Sequence, residues 1–399
     1  MENSVLSALS DPAVWERFYE YKASRTCPDR ILKKLREFID GREYLPVCGA
    51  IAAGGAFPLP KRSVISKLSS QKKRVVYTYP EPENTVLKLL TWLLLRKYDG
   101  LFAPGLFSFR PGRAAKDAMR YLIRSAGADG KYCYKTDVSD YFNSVPVDAA
   151  SEMLKEVLSD DPELLRFLLA LLNEPRVLRD GEPVTERKGI MAGTPQSAFL
   201  ANVYLRDMDA LFCDKGVPYA RYSDDIVVFA DTPGELRAQI DEIHAFLDKK
   251  GLKVNADKEE LRAPDEGFVF LGFIRRGGVT DIAPVSVDKI KGKMRRKARA
   301  LARWRDRNGL EGEKAAKAFI RVFNSKLFEN TSDSELTWTR WFFPVITTDE
   351  SLREIDLYAQ DCLRFLISGK RTKARFDVRY EDLKRLGYRS LVNEYYKKS

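Results

Sequence analysis

Arg221-Tyr-Ser-Asp-Asp-Ile-Val-Val-Phe-Ala230 is the stretch whose reading decides the fold. Two adjacent carboxylates, Asp224 and Asp225, follow a small residue and run directly into Ile226, Val227, Val228 and Phe229. That β-branched and aromatic run predicts a buried strand, so charge stands at the mouth of an apolar hairpin. Two like charges on such a support are costly unless a cation neutralises them. Carboxylate oxygens suit a hard ion such as Mg2+, which keeps positions open for substrate phosphates. A solvated Asp-Asp turn is the plain alternative, because turns favour Asp for local hydrogen bonding. A second acid at the end of another strand decides between them.

Lys135-Thr-Asp-Val-Ser-Asp-Tyr-Phe-Asn-Ser144 supplies it. Tyr132, Cys133 and Tyr134 predict a short strand ending at Asp137, so two strands bring acids to one point. Order and spacing resemble the reverse transcriptases, in which the first catalytic Asp is followed five residues later by an aromatic and Tyr-x-Asp-Asp comes several dozen residues downstream. Here those residues are Asp137, Phe142 and Tyr222-Ser-Asp-Asp225. The resemblance covers roughly residues 60 to 310 and implies an α+β right-hand polymerase, with a palm of antiparallel sheet plus helices and an α-helical thumb. Its divisions would be an N-terminal helical extension (1–60), fingers (61–130), palm (131–280), and thumb with C-terminal region (281–399). It further implies that Asp137, Asp224 and Asp225 hold two Mg2+ ions, with Mn2+ as a substitute, for an in-line transfer onto a primer 3′-hydroxyl.

Composition agrees with a large folded chain and a polyanionic partner. The 399 residues are 44% hydrophobic, and 68 Lys and Arg against 57 Asp and Glu leave a formal charge of +11. Five scattered cysteines without a Cys-x-x-Cys pair argue against a disulfide framework or structural zinc, and make a reducing cytoplasm the default. No eighteen-residue apolar run and no signal-peptide pattern is present, so no membrane partner is expected. With a single histidine, His244, histidine-based triads and two-histidine metal sites are excluded by count. The chemistry must rest on carboxylates, lysines and metal ions.

Further motifs take roles from the resemblance. Gln71-Lys-Lys-Arg-Val-Val-Tyr-Thr-Tyr79 puts Lys72, Lys73 and Arg74 before a strand, where the family presents cations to the incoming triphosphate; Arg74 is the first choice and Lys73 the second. Phe107-Ser-Phe-Arg-Pro-Gly-Arg113 looks like an element of bacterial and group II intron-like reverse transcriptases. Its Arg110 and Arg113 either contact template phosphate or brace fingers against palm through an acidic side chain. Phe142 would occupy the space of a ribose 2′-hydroxyl and so favour deoxynucleotides. The loop Gly189-Ile-Met-Ala-Gly-Thr-Pro-Gln-Ser197, with Ala192 and Gly193 at the nucleotide, has Ala where many relatives carry Gln. Ser197 is expected to cap a helix over 198–211. Lys258 would donate a proton to departing pyrophosphate, with a surface lysine as the plain alternative. Phe268-Val-Phe-Leu-Gly-Phe273 looks like a primer-grip hairpin.

Residues 289–307 are dense in Lys and Arg around Ile290, Met294, Ala298, Leu301 and Trp304, and predict a basic amphipathic helix. Its Lys293 and Arg296 are placed on duplex backbone, a contact that makes binding salt-dependent. The aromatic cluster Trp338, Trp341, Phe342 and Phe343 reads as core. The expected partners are a structured non-coding RNA template, nascent cDNA and dNTPs. The Ala-Gly-Thr-Pro loop resembles bacterial defence-associated enzymes, and no stretch remains for a nuclease. A group II intron or retron-type enzyme, an RNA polymerase and a non-catalytic RNA-binding scaffold stay open as alternatives.

Overall fold

The computed structural model describes residues 4–24, 27–66, 73–186, 188–329, 337–370, 372 and 374–397. Lys72 of the basic run before the strand lies outside the described residues, as does Lys373 near the C-terminus. The strands, in chain order, are β1 (Lys61–Ser66), β2 (Lys73–Thr78), β3 (Tyr132–Asp137), β4 (Arg176–Arg179), β5 (Glu182–Thr185), β6 (Tyr219–Tyr222), β7 (Asp225–Ala230), β8 (Glu260–Arg262), β9 (Phe268–Phe270), β10 (Phe273–Arg276) and β11 (Val279–Ile282).

The two apolar runs that carry the acids lie side by side. They form the centre of a four-stranded sheet of order β6-β7-β3-β8, antiparallel throughout. Ile226 to Phe229 are wholly buried on both faces, which is why this strand is continuously apolar rather than alternating. One covering element is the helix Pro233–Lys249, which contacts β3 and β7. Its start is set by a capping box in which Thr232 accepts from the Glu235 amide and Glu235 accepts from the Thr232 amide.

A second sheet has the order β2-β1-β4-β5. The β4–β5 hairpin turns at Asp180-Gly181, as its sequence predicts, but it comes from the segment assigned to the palm and pairs with a strand assigned to the fingers. Glu186 ties the strands together, accepting from Tyr77 and Arg179 and forming an ion pair with Arg62. The stretch expected as fingers, 61–130, thus shares a sheet with a hairpin from the stretch expected as palm.

The chain forms two units, one of Met1–Ser24 with Arg30–Ala263 and the other of Arg25–Asp29 with Pro264–Ser399. Residues 264–280, expected within the palm, fall in the second unit. Among the described residues β9, β10 and β11 pair only with one another, as a meander with a tight Leu271-Gly272 turn at positive φ, and they belong to the C-terminal unit. That unit also holds the predicted basic helix, Pro284–Arg307, packed against Gly312–Leu327 and Glu350–Ser368. Phe342 and Phe343 are buried, as the core reading of the aromatic cluster expects.

The helix expected over 198–211 is two, Ser197–Tyr204 and Arg206–Asp214, broken at Leu205. No glycine or proline marks the break, so nothing local announces it. Ser197 does not cap: it is the first helical residue, and its hydroxyl donates to the Met191 carbonyl at 2.5 Å, tying the helix to the preceding loop.

Candidate active site

Pairing of β3 with β7 sets Asp137 directly opposite Asp225, and the Val138 amide donates to the Asp224 carbonyl at 3.1 Å. Three carboxylates from two separated segments thus share one end of the sheet. Tyr222 pairs with Asp225, leaving Ser223 and Asp224 as a two-residue turn with Ser223 at φ +62°. A non-glycine residue at that position is strained and persists only where its surroundings hold it.

Arg221 does the holding. It is completely buried and its guanidinium grips Asp209, also completely buried, through Nε at 2.8 Å and Nη2 at 2.6 Å. Nη1 donates to the Ser223 carbonyl at 3.0 Å, inside the turn, and Nη2 also reaches the Asn202 carbonyl at 3.3 Å. Tyr219 donates to the same Asp209 carboxylate, and Asn202 bonds to Ser108. Arg221 stood in the opening stretch of the sequence and Asp209 beyond the loop motif, but nothing in their spacing announced that they pair.

The acids themselves are poorly satisfied. Burial, and next the Asp224 charge, push the Asp225 carboxyl up to about 6; burial, with Asp137 adding to it, raises Asp224 as well. Asp137 is 4% exposed, and its Oδ1 has no hydrogen-bond partner. Its Oδ2 pairs with the Lys258 ammonium. Lys258 gets there because the chain before β8 is stitched to the end of β3: Ser139 N to Lys253 O at 2.8 Å, Asn255 N to Asp137 O at 2.8 Å, and a Val138–Val254 bridge. Burial is the largest single influence and works against its charged form, but the bond to Asp137 together with the charges of Asp137, Asp225 and Asp224 outweighs it and holds the amine above its ordinary range. Among the described residues no three acidic, imidazole or thiol side chains stand gathered as a ready metal cage. An orphaned buried carboxylate oxygen beside two carboxylates of raised pKa is nevertheless the donor set a hard divalent cation would neutralise, once Lys258 gives up its oxygen.

The other predicted residues separate. Arg74 exerts its charge on Asp224, whereas the pleat turns Lys73 to the opposite face of β2, with Val75 and Tyr77. Phe142 is half-buried, packed edge-on against Tyr141, and its carbonyl accepts from Ile190 at 2.8 Å. Gly189, at φ +53°, lies so close to the Asn143 backbone that a Cβ would stand 2.8 Å from its Cα, so only glycine fits. Ala192 accepts from the Tyr77 amide at 2.8 Å, and a Cβ on Gly193 would stand 3.0 Å from the Tyr77 carbonyl. Loop 189–193 is therefore clamped between β2 and the segment after Asp137.

Of the two readings open for Arg110, its contacts are those of a brace on an acidic side chain. Its guanidinium is buried, bound twice to the Asp99 carboxylate at 2.7 and 3.1 Å and to the carbonyls of Ala103 and Leu106. With these bonds made it braces its own turn, because a buried guanidinium stays in place only when paired. Arg113 is half-buried, donates to the Pro104 carbonyl and lies over the Phe107 ring. In the C-terminal unit Lys293 and Arg296 are exposed on Pro284–Arg307. Partial desolvation against the helix surface, then repulsion from Lys326, Arg296 and Lys289, lowers the pKa of the otherwise exposed Lys293. No helix among the described residues is long and apolar enough to cross a membrane.

Residues 59–275 match the sequence profile of the reverse transcriptase (RNA-dependent DNA polymerase) family, and the chain belongs to that family. It is 29% identical over 157 residues to an uncharacterised 91 kDa protein in the cob intron of Schizosaccharomyces pombe, covering 37% of this chain and 18% of that protein. It is 22% identical over 263 residues to protein YkfC of Escherichia coli, covering 56% and 68% respectively. Among solved structures it is similar to apo telomerase from Candida tropicalis, at 11% identity and TM-score 0.48 over 83% of this chain and 68% of that one.

Proposed function

We propose that this chain is an RNA-directed DNA polymerase that adds dNTPs to a primer 3′-end at Asp137, Asp224 and Asp225. One observation carries the proposal: three carboxylates are placed on one sheet end and left without enough countercharge. Those three residues would hold divalent ions, Mg2+ with Mn2+ as a substitute, which when bound activate the 3′-hydroxyl and neutralise the triphosphate. Arg74, already acting on Asp224 across the gap, would take triphosphate oxygens. Phe142, on the clamped segment after Asp137, would exclude a 2′-hydroxyl. Lys258 is kept protonated by Asp137, and once released from it would have a proton at Nζ for the pyrophosphate. In the C-terminal unit, Lys289, Lys293, Arg296 and Lys326 would follow duplex phosphate. Primer extension on an RNA template with dNTPs or rNTPs tests this: DNA synthesis lost in Asp224→Ala is the expected result, and undiminished synthesis by that variant excludes the site.

The finer reading is a structured non-coding RNA template in a bacterial antiphage setting, and it rests on the form of the loop Ala192-Gly-Thr-Pro195. A relative that is itself a protein in an intron favours a second reading, an intron-type enzyme with the same chemistry on its own RNA. Purifying the protein with its nucleic acid, then sequencing RNA and cDNA, separates the two. Bound RNA without any cDNA, and no incorporation in vitro, would instead indicate a non-catalytic scaffold.

A further inference from the structure

Three elements of the N-terminal unit meet at the carboxamide of Asn143. Its Oδ1 accepts from the Ala192 amide at 3.2 Å, while its Nδ2 faces the Val75 carbonyl at 3.4 Å and the Asp140 carboxylate at 3.2 Å. That orientation is forced, since only the oxygen can accept from Ala192 and only the nitrogen can donate to the other two. Around it the main chain is already joined: Ile190 N to Phe142 O, and Tyr77 N to Ala192 O, both at 2.8 Å. Asn143 is therefore the side chain that touches β2, loop 189–193 and the segment carrying Phe142 together. Its neighbour Asp140 sits at φ +42°, so the turn that presents the carboxamide is itself held in a sparsely populated conformation.

We propose that Asn143 is a positioning residue for the incoming nucleotide, fixing the separation between Arg74 on β2, the Ala192-Gly193 backbone and the Phe142 ring. This rests on the polymerase reading above. It acts through Ala192 and Val75, so its removal loosens the walls of the nucleotide site without breaking a hydrogen bond to Asp137, Asp224 or Asp225.

The test is steady-state dNTP incorporation by the full chain on an RNA template with a DNA primer. Asn143→Ala is expected to raise the KM for dNTP about tenfold, the scale of two lost neutral hydrogen bonds, with kcat within about twofold. Asn143→Asp keeps the acceptor for Ala192 but turns a carboxylate on the Val75 carbonyl and Asp140, so its KM should rise further. Unchanged KM in both variants overturns the proposal, as does a joint fall of kcat and affinity with a lowered melting temperature, which marks a general structural role. Hydrogen exchange at the Ala192 and Tyr77 amides gives a readout independent of turnover: faster exchange in Asn143→Ala supports the clamp, and unchanged exchange overturns it. A wild-type protein that incorporates no dNTP would sink the polymerase reading, while exchange would still decide the clamp.

Discussion

Two charged clusters stand on the same hairpin, and the fold treats them in opposite ways. At Arg221 and Asp209 both charges are fully buried, the guanidinium fork is met by carboxylate and carbonyls, and Tyr219 takes a further position on the acid. At Asp137, Asp224 and Asp225, like charges are crowded together, one oxygen has no partner, and among the described residues the only cation bonded to an acid is Lys258. A satisfied cluster supports geometry; an unsatisfied one keeps capacity for something absent from the chain. The first holds the strained turn at Ser223 in which the second is displayed.

The sharpest break in that contrast comes from the open cluster. Asp224→Ala should cut DNA synthesis by at least about a thousandfold in primer extension, while RNA affinity measured by filter binding stays within about threefold, because little of the fold depends on this acid. Lys258→Ala should lower kcat by about a hundredfold, the low end of what a placed general acid contributes, with dNTP KM little changed in the same assay.

The closed cluster should respond in stability. Asp209→Ala leaves the Arg221 charge buried and unpaired, which costs about 3–5 kcal/mol by denaturant unfolding of the N-terminal unit. Replacing both partners, Arg221→Met with Asp209→Leu, should recover much of that loss, yet leave the Ser223 turn without its clamp and synthesis impaired. Recovery of both stability and synthesis in the double variant would show that the pair only fills space.

A smaller effect separates the clusters by pH. The Asp225 carboxyl, pushed up to about 6 by burial and then by Asp224, binds its proton more tightly folded than unfolded, where an aspartate titrates near about 3.9. From about pH 4 to 6 the folded state holds the extra proton, so stability falls as pH rises through that window and the full cost is present above it. Without divalent ions, Asp225→Asn should therefore raise the melting temperature by a few degrees at pH 7.5 and by much less at pH 4.5. Mg2+ should raise the wild-type melting temperature at pH 7.5 more than that of the variant. The least effect is expected at Lys293 and Arg296, where each neutral substitution should reduce the salt dependence of duplex binding by about one unit of slope.

Much of the candidate site was legible because its signals are local. An apolar run ending in acid predicts a strand that displays a carboxylate, and the β3 and β7 runs needed only to pair. Less legible were contacts whose partners lie far apart in sequence. Arg110 read as either a phosphate ligand or a brace, with nothing to name Asp99 as its partner, and Asn143 drew no notice within a motif dominated by Asp137 and Phe142.

By itself the amino-acid order determined which groups are available: three acids on strand ends, no second histidine, a surplus of positive charge and a basic amphipathic helix. Periodicity and residue type are properties of a short window, so they survive without coordinates. Only the tertiary structure decided how those groups are used. It sent β4–β5 to the other sheet, residues 264–280 to the C-terminal unit, Arg110 to a brace, Lys258 to Asp137 and Arg221 to Asp209. Each of those outcomes depends on which distant segment supplies a countercharge or a pairing edge, and that is set by topology rather than by spacing along the chain.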